Sequence, residues 1–256
     1  MKIIIISGLK RSGSTLCFNI VRSILKSNGR SFSQEFCKDV KDFTEVLDAS
    51  NSSDIFVCKT HDFKVVEFAK SRCNDTLNIT TYRNLDEIAA SGIAKFNWSN
   101  ENALINLDMI VNNWAYAKKR NLLGELVSYK SLNADIKKTI DKIAKYLNID
   151  ISNQEISNIV RIIENQKDNI SNVNKLTLLK RRFFFLLNFI AFKFPILKTS
   201  LNIKIKNKLK YFLTSGNPDT LLHSNHITGS NPNNLEFDLR EEIHRKYNAW
   251  QQRNFK

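Results

Sequence analysis

Three short stretches of this chain carry side chains able to hold an anion and move a proton. The first is Gly8-Leu-Lys10-Arg11-Ser12-Gly13-Ser14-Thr15, a loop of glycines, hydroxyls and two cations. The second is Lys59-Thr60-His61, an ammonium beside an imidazole. The third starts at Arg83 and reaches Ser91 eight positions later. A glycine loop opening a helix directs backbone N–H groups and the positive end of the helix dipole at a phosphate. Arg11 adds a planar fork of donors, and Ser14 and Thr15 add hydroxyls. A neutral imidazole can take a proton from an attacking hydroxyl, and Lys59 can stabilise charge on a leaving oxygen.

These residues can cooperate only if secondary structure gathers them. Ile3 to Ile6 is an apolar, β-branched run that predicts a buried parallel strand. Leu16, Ile20, Val21, Ile24 and Leu25 follow the loop at helical spacing. Residues 33–49 predict a loop and a short helix. Ile55 to Cys58 predicts a second strand, 76–83 a third and 126–129 a fourth. Helices are expected over 63–71, 85–96, 103–119, 136–147 and 153–163. Strands alternating with helices predict an α/β fold, a parallel sheet flanked by helices on both faces in a P-loop NTPase-like three-layer sandwich. Ligands of such sheets sit beyond the carboxyl ends of the strands. Lys10 and Arg11 follow strand one, Lys59, Thr60 and His61 strand two, and Arg83 strand three. All six are therefore expected at one cationic edge.

The loop has the length of a Walker A motif, but Ser14 stands where its lysine would be. No strand ends in the aspartate of a Walker B site, so Mg·ATP is not the expected ligand and no metal is expected. Cys17, Cys37, Cys58 and Cys73 show no metal spacing and read as free thiols. The 256 residues are expected to form a single domain: a nucleotide-binding core over 1–150, a basic aromatic insert over 169–218, and a C-terminal loop and helix over 219–256. The N-terminal apolar run is too short for a signal peptide and no stretch reaches spanning length, which predicts a cytoplasmic location.

The formal net charge is +14, and residues 169–218 contribute ten basic side chains and no acidic one. Within 178–197 six phenylalanines lie among Lys180, Arg181, Arg182 and Lys193. Three readings fit that segment: a cap helix on the substrate side, an interfacial element on anionic lipid, or a face for an acidic acceptor such as a glycan. Its bases and aromatics do not interleave as a nucleic-acid surface requires, so no nucleic-acid partner is expected.

Taken together, the three stretches resemble the sulfotransferase family that uses 3′-phosphoadenosine 5′-phosphosulfate (PAPS), in its bacterial form. Arg11-Ser12-Gly13-Ser14-Thr15 is similar to that family's 5′-phosphosulfate loop, with Lys10 in place of the usual proline. Lys59-Thr60-His61 matches its Lys-Thr-His segment letter for letter, and Arg83 with Ser91 matches its 3′-phosphate pair. Leu126 to Leu132 looks like its Arg-Tyr-Glu-Asp-Leu strand without the acidic pair. The family's basic, glycine-containing C-terminal loop is not present in its cytosolic form. The nearest stretch is His223-Ser-Asn-His226-Ile-Thr-Gly229-Ser230-Asn231-Pro232, similar to the His…Gly-Asn-Pro segment of bacterial members with one inserted residue.

The resemblance implies sulfuryl transfer from PAPS to a hydroxyl or amine, releasing adenosine 3′,5′-bisphosphate without a metal. It implies His61, Lys59 and Arg11 as catalytic residues, with Lys10 to Thr15, Arg83, Ser91, Gly229, Ser230 and Asn231 binding the nucleotide. The acceptor is unidentified, a glycan or lipid being favoured, and an anionic membrane surface is a further partner of 169–218. Two other readings stay open at this point: a nucleotide or small-molecule kinase on a degenerate P-loop, and a non-catalytic membrane-associated protein that keeps the fold.

Overall fold

A computed structural model gives the structure of the protein and describes residues 1–49, 54–171 and 231–255. The chain divides into two units, Met1–Val160 with Gly229–Lys256, and Arg161–Thr228. Residues 172–230, with most of the basic aromatic segment and with Gly229 and Ser230, lie outside the described residues.

The first unit is built on a five-stranded sheet in the order β2-β3-β1-β4-β5. The strands are β1 (Lys2–Gly8), β2 (Ser33–Phe36), β3 (Ile55–Lys59), β4 (Thr76–Tyr82) and β5 (Glu125–Ser128), and every pairing is parallel. The helices are α1 (Ser14–Ser27), α2 (Val40–Ala49), α3 (Phe63–Arg72), α4 (Leu85–Phe96), α5 (Asn100–Lys119), α6 (Tyr129–Ala134), α7 (Ile136–Tyr146) and α8 (Asn153–Ser171). After a 3₁₀ turn at Pro232–Asn234 comes α9 (Phe237–Asn254).

Ile3, Ile4, Ile5 and Ile6 are all buried because helices cover both faces. Ile3 and Ile5 pack with Phe56, Cys58, Phe43 of α2, Phe63 and Val66 of α3, and Ala117 of α5. Side chains alternate along a strand, so Ile4 and Ile6 face the other side, where α1 packs on β1, β3 and β4 and against α7. Each such isoleucine is worth about 1.5–3 kcal/mol when fully buried. A second cluster joins α4, α5 and α9 through Leu85, Ile88, Leu107, Trp114, Leu239 and Ile243. The C-terminal helix therefore belongs to the core.

The α/β, three-layer expectation is met, with β2 as the principal difference. The stretch Ser-Gln-Glu-Phe contains no β-branched residue and is half exposed, so it carries no strand pattern. It pairs nonetheless with β3 at the sheet edge, with Phe36 opposite Lys59. The last strand ends at Ser128, one residue earlier than expected. The Ser128 hydroxyl accepts from Ser131 N at 3.0 Å, which caps α6 and draws Tyr129 into it.

Strand order sets the position of the site. The chain leaves β1 toward β2 and β3 on one side, then returns to β4 and β5 on the other. The carboxyl end of β1 is thus a topological switch point, where a crevice opens between diverging connections.

Candidate functional site

The register brings the three stretches together. Ile6 lies beside Lys59 and Gly8 beside Thr81, so the loop after β1 emerges between the ends of β3 and β4. Thr60 N donates to Ile6 O at 3.0 Å, continuing the ladder one residue past β3. His61 then reaches back, its Nδ1 lying 2.9 Å from Gly8 O. A carbonyl oxygen can only accept, so Nδ1 carries the proton and Nε2 keeps its lone pair. Asn113 of α5 donates to His61 O at 2.9 Å and fixes the backbone from the other side.

The loop holds its shape by internal bonds. Ser12 donates its N–H to Leu9 O at 3.2 Å. Its hydroxyl donates to the same carbonyl at 2.6 Å and lies 2.6 Å from Thr81 Oγ1. Ser12 is fully buried and shapes the turn. Arg11 adopts φ 69° and Gly13 φ 89°, left-handed conformations that turn the chain into α1. A Cβ on Gly13 would lie 2.9 Å from both Leu132 and Tyr129, so both side chains would have to shift to admit one.

Helix α1 begins with Gly13 as N-cap, no side-chain cap and no acidic residue in its first turn. Its first intrahelical bond runs from Cys17 N to Gly13 O, which leaves the N–H groups of Ser14, Thr15 and Leu16 outside the ladder. A helix start so composed, preceded by Lys10 and Arg11, suits an anion.

Around this helix start the cations converge. Arg11 Nε donates to Ser91 Oγ at 3.0 Å. Arg83 Nη1 contacts Arg11 O at 3.4 Å, and its Nε pairs with Glu87 at 2.6 Å. The Arg83 guanidinium lies 3.8 Å from the centre of the Tyr129 ring, and that of Arg11 lies 5.3 Å from Phe96. Lys59 Nζ sits 4.6 Å over the Phe36 ring, which forms a T-shaped pair with the His61 ring at 6.1 Å between centres. Lys59, Arg83 and Ser91 are buried, and Arg11 is half-buried.

Their electrostatics follow from that crowding. Burial, then the repulsion of Arg83, lowers the Arg11 pKa against a partly offsetting effect of Tyr129. Burial and Arg11 bring Lys59 down to about 8, with Cys58 opposing. His61 falls to about 3 through burial, Lys59, Lys10 and Arg11, against the raising effect of the bond to Gly8. Lys95, in the last turn of α4, is lowered to about 8 by burial, Arg11 and Arg83.

The His61 shift makes stability depend on pH. Its pKa is depressed from an ordinary 6.5, so the neutral form is favoured by folding. The contribution is complete above pH 6.5 and is lost as pH falls toward about 3. The urea midpoint of the wild type should therefore drop more steeply between pH 6.5 and 4 than that of His61→Gln. Parallel slopes would contradict the assignment of that titration to His61.

Of the residues expected at the site, Arg11, Gly13, Ser14, Thr15, Lys59, His61, Arg83 and Ser91 come to one edge of the sheet. Lys10 is exposed beside them. Asn231 is the N-cap of the 3₁₀ turn, its side chain accepting from Asn233 N at 3.0 Å, and that turn packs on α4. Among the described residues no three His, Cys, Asp or Glu side chains converge as metal ligands. Among them, too, no helix is long and apolar enough to cross a membrane.

Several site residues carry no signal in the sequence. Phe36 lies on the unforeseen edge strand, and Tyr129 belongs to α6 instead of the expected fourth strand. Asn113 acts through one side-chain bond that no local pattern marks. Gln251 of α9 accepts from Leu85 N at 2.8 Å and so caps α4 from 166 residues away. Lys95 does have a signal, since it stands one helical turn beyond Ser91.

No family model and no curated protein matches the chain. The solved structures to which it is similar include mouse sulfotransferase SULT7A1 complexed with PAP, at 16% identity and a TM-score of 0.45, over 68% of each chain. They also include retinol dehydratase in complex with androsterone and the inactive cofactor PAP, at 12% identity and a TM-score of 0.48, over 67% of each chain. A second retinol dehydratase complex, with retinol and PAP, gives 12% identity and a TM-score of 0.44 over 67% of each chain.

Proposed function

We propose that the protein is a PAPS-dependent sulfotransferase with His61 as general base. The observation that carries this reading is the juxtaposition of two features at the end of β1. One is an uncapped helix start ringed by Arg11, Lys59 and Arg83; the other is an imidazole whose Nδ1 is tied to Gly8 O, leaving Nε2 unprotonated. The donor set fits a polyanionic nucleotide: guanidinium forks, hydroxyls and helix N–H groups, with Glu87 drawn onto Arg83.

When bound, PAPS supplies an activated sulfuryl group, which the acceptor oxygen or nitrogen attacks at sulfur while the sulfur–oxygen bond to the 5′-phosphate breaks. The chain's own residues position and stabilise. The N–H groups at the start of α1, with Ser14 and Thr15, orient the 5′ end. Arg11 and Lys59 offset the negative charge that develops on the departing phosphate oxygen. His61 Nε2 takes the proton lost by the acceptor. Arg83 and Ser91 hold the 3′-phosphate and so discriminate against ATP.

An imidazole depressed to about 3 is a weak base, and the causes of the depression explain how it becomes a stronger one. Burial is the largest of them; Lys59, Lys10 and Arg11 add to it, and a bound polyanion offsets the part that comes from their charge. Nucleotide binding therefore raises the pKa of His61 and readies it for proton transfer. The acceptor classes to test first are glycan and lipid hydroxyls, on the strength of the ten basic residues within 169–218.

A thermal-shift comparison tests the reading. Adenosine 3′,5′-bisphosphate at about 100 times its Kd should stabilise by about 2.7 kcal/mol, or roughly 5–10 °C in Tm for a chain of this size. ATP with Mg²⁺ should give less. Stabilisation by ATP with Mg²⁺ but not by the bisphosphate would replace this reading with a kinase.

A further inference from the structure

We propose that Lys95 is a third arm of the anion cradle at Arg83 and Ser91, binding the nucleotide's 3′-phosphate and so helping to select nucleotides that carry one. The identity of the ligand rests on the function proposed above; the placement of Lys95 rests on the geometry of α4.

Residues four apart on a helix share a face, and Lys95 stands four after Ser91 on α4. Ser91 Oγ accepts from Arg11 Nε at 3.0 Å. The next residue, Phe96, lies under the Arg11 guanidinium at 5.3 Å. Arg83, just before α4, reaches Arg11 O. The helix thus directs one hydroxyl and one ammonium toward the side of the loop where two guanidiniums already meet.

Three cations in mutual range repel one another, and the repulsion is felt at Lys95 from both Arg11 and Arg83. Glu87 pairs with Arg83, which offsets one positive charge. A phosphate dianion placed among Arg11, Arg83 and Lys95 would be attracted by all three. The bland account is that a lysine in the last turn of a helix merely complements the dipole. That account predicts an effect on stability and none on discrimination between nucleotides.

The test is a set of dissociation constants for adenosine 3′,5′-bisphosphate and adenosine 5′-monophosphate, measured by calorimetry on the full chain. The proteins are the wild type, Lys95→Ala, Lys95→Met and Lys95→Arg. Lys95→Met keeps the aliphatic stem and guards against loss of packing. A charged hydrogen bond lost from such a site weakens binding by about 10–100-fold. Lys95→Ala and Lys95→Met should show that loss for the bisphosphate and unchanged affinity for the monophosphate, and Lys95→Arg should restore most of it. Equal losses for both nucleotides, or no loss for either, would overturn the role of Lys95. A wild type that binds neither nucleotide would instead overturn the functional reading, and this inference with it.

Discussion

Replacing His61 with alanine should lower turnover by about 10²–10⁴-fold, the usual worth of a positioned general base, while leaving the affinity for adenosine 3′,5′-bisphosphate unchanged. The two effects separate because the imidazole and the nucleotide-binding groups sit on different elements. His61 follows β3 and is held by Gly8 O and by Asn113. The groups assigned to the nucleotide come from the start of α1, from Arg83 and from Ser91 of α4. With a pKa lowered to about 3, the free imidazole is neutral near pH 7, so its removal leaves the charge around the nucleotide unchanged. A second variant, His61→Asn, retains a donor near Gly8 O and so guards against collapse of the loop. Turnover would be measured with saturating PAPS and a panel of glycan, lipid and phenol acceptors, and binding by calorimetry. Unchanged turnover in both variants would remove His61 from the mechanism. A parallel fall in nucleotide affinity would make it a structural prop of the loop.

Part of this arrangement can be read in the sequence and part cannot. The four isoleucines of β1 announce a doubly covered strand, and the helix after Gly13 has a clear apolar stripe. Loop, strand end and helix are thus legible from residue types and spacing. The gathering of Lys59, His61 and Arg83 also follows, because a parallel sheet sends every strand's carboxyl end to one side. Phe36 does not follow. Its strand is short, polar and at the edge, where one row of backbone bonds to β3 suffices and no apolar pattern is needed. The ring matters to the site because it takes Lys59 on its face and packs against His61 in a T-shaped pair. Asn113 and Gln251 are similar cases. Each contributes a single side-chain bond across a long sequence separation, and only tertiary packing decides that they meet their partners. Ser12 illustrates a different limit: the motif that contains it is legible, but not that its hydroxyl and N–H are both turned inward.

Gly8→Ala should be the most damaging single methyl addition to the loop, costing about 2–6 kcal/mol of stability, the sum of a steric and a backbone contribution. A Cβ at Gly8 would lie 2.2 Å from Thr81 Oγ1, 2.5 Å from Thr81 O and 2.9 Å from Thr81 N. Thr81 is a central strand residue paired beside Gly8, so its backbone has nowhere to go, and overpacking of this kind costs about 1–3 kcal/mol. The remainder is backbone strain, since Gly8 has φ 149°, a region L-residues avoid at a cost of order 1–3 kcal/mol. Gly29 supplies the control. It has φ 66° and nothing within 4 Å of an added methyl, so Gly29→Ala carries backbone strain alone, about 1–2 kcal/mol. The difference between the two variants in urea unfolding isolates the close approach of β1 and β4. The damage at Gly8 should also reach the site, because Thr81 Oγ1 holds Ser12 and Gly8 O holds His61. Folded Gly8→Ala should therefore bind adenosine 3′,5′-bisphosphate more weakly than the wild type, whereas Gly29→Ala should bind it equally well. Equal stability and equal binding in the two variants would mean that the loop tolerates a side chain at its first residue, and that the β1–β4 contact does not set its shape.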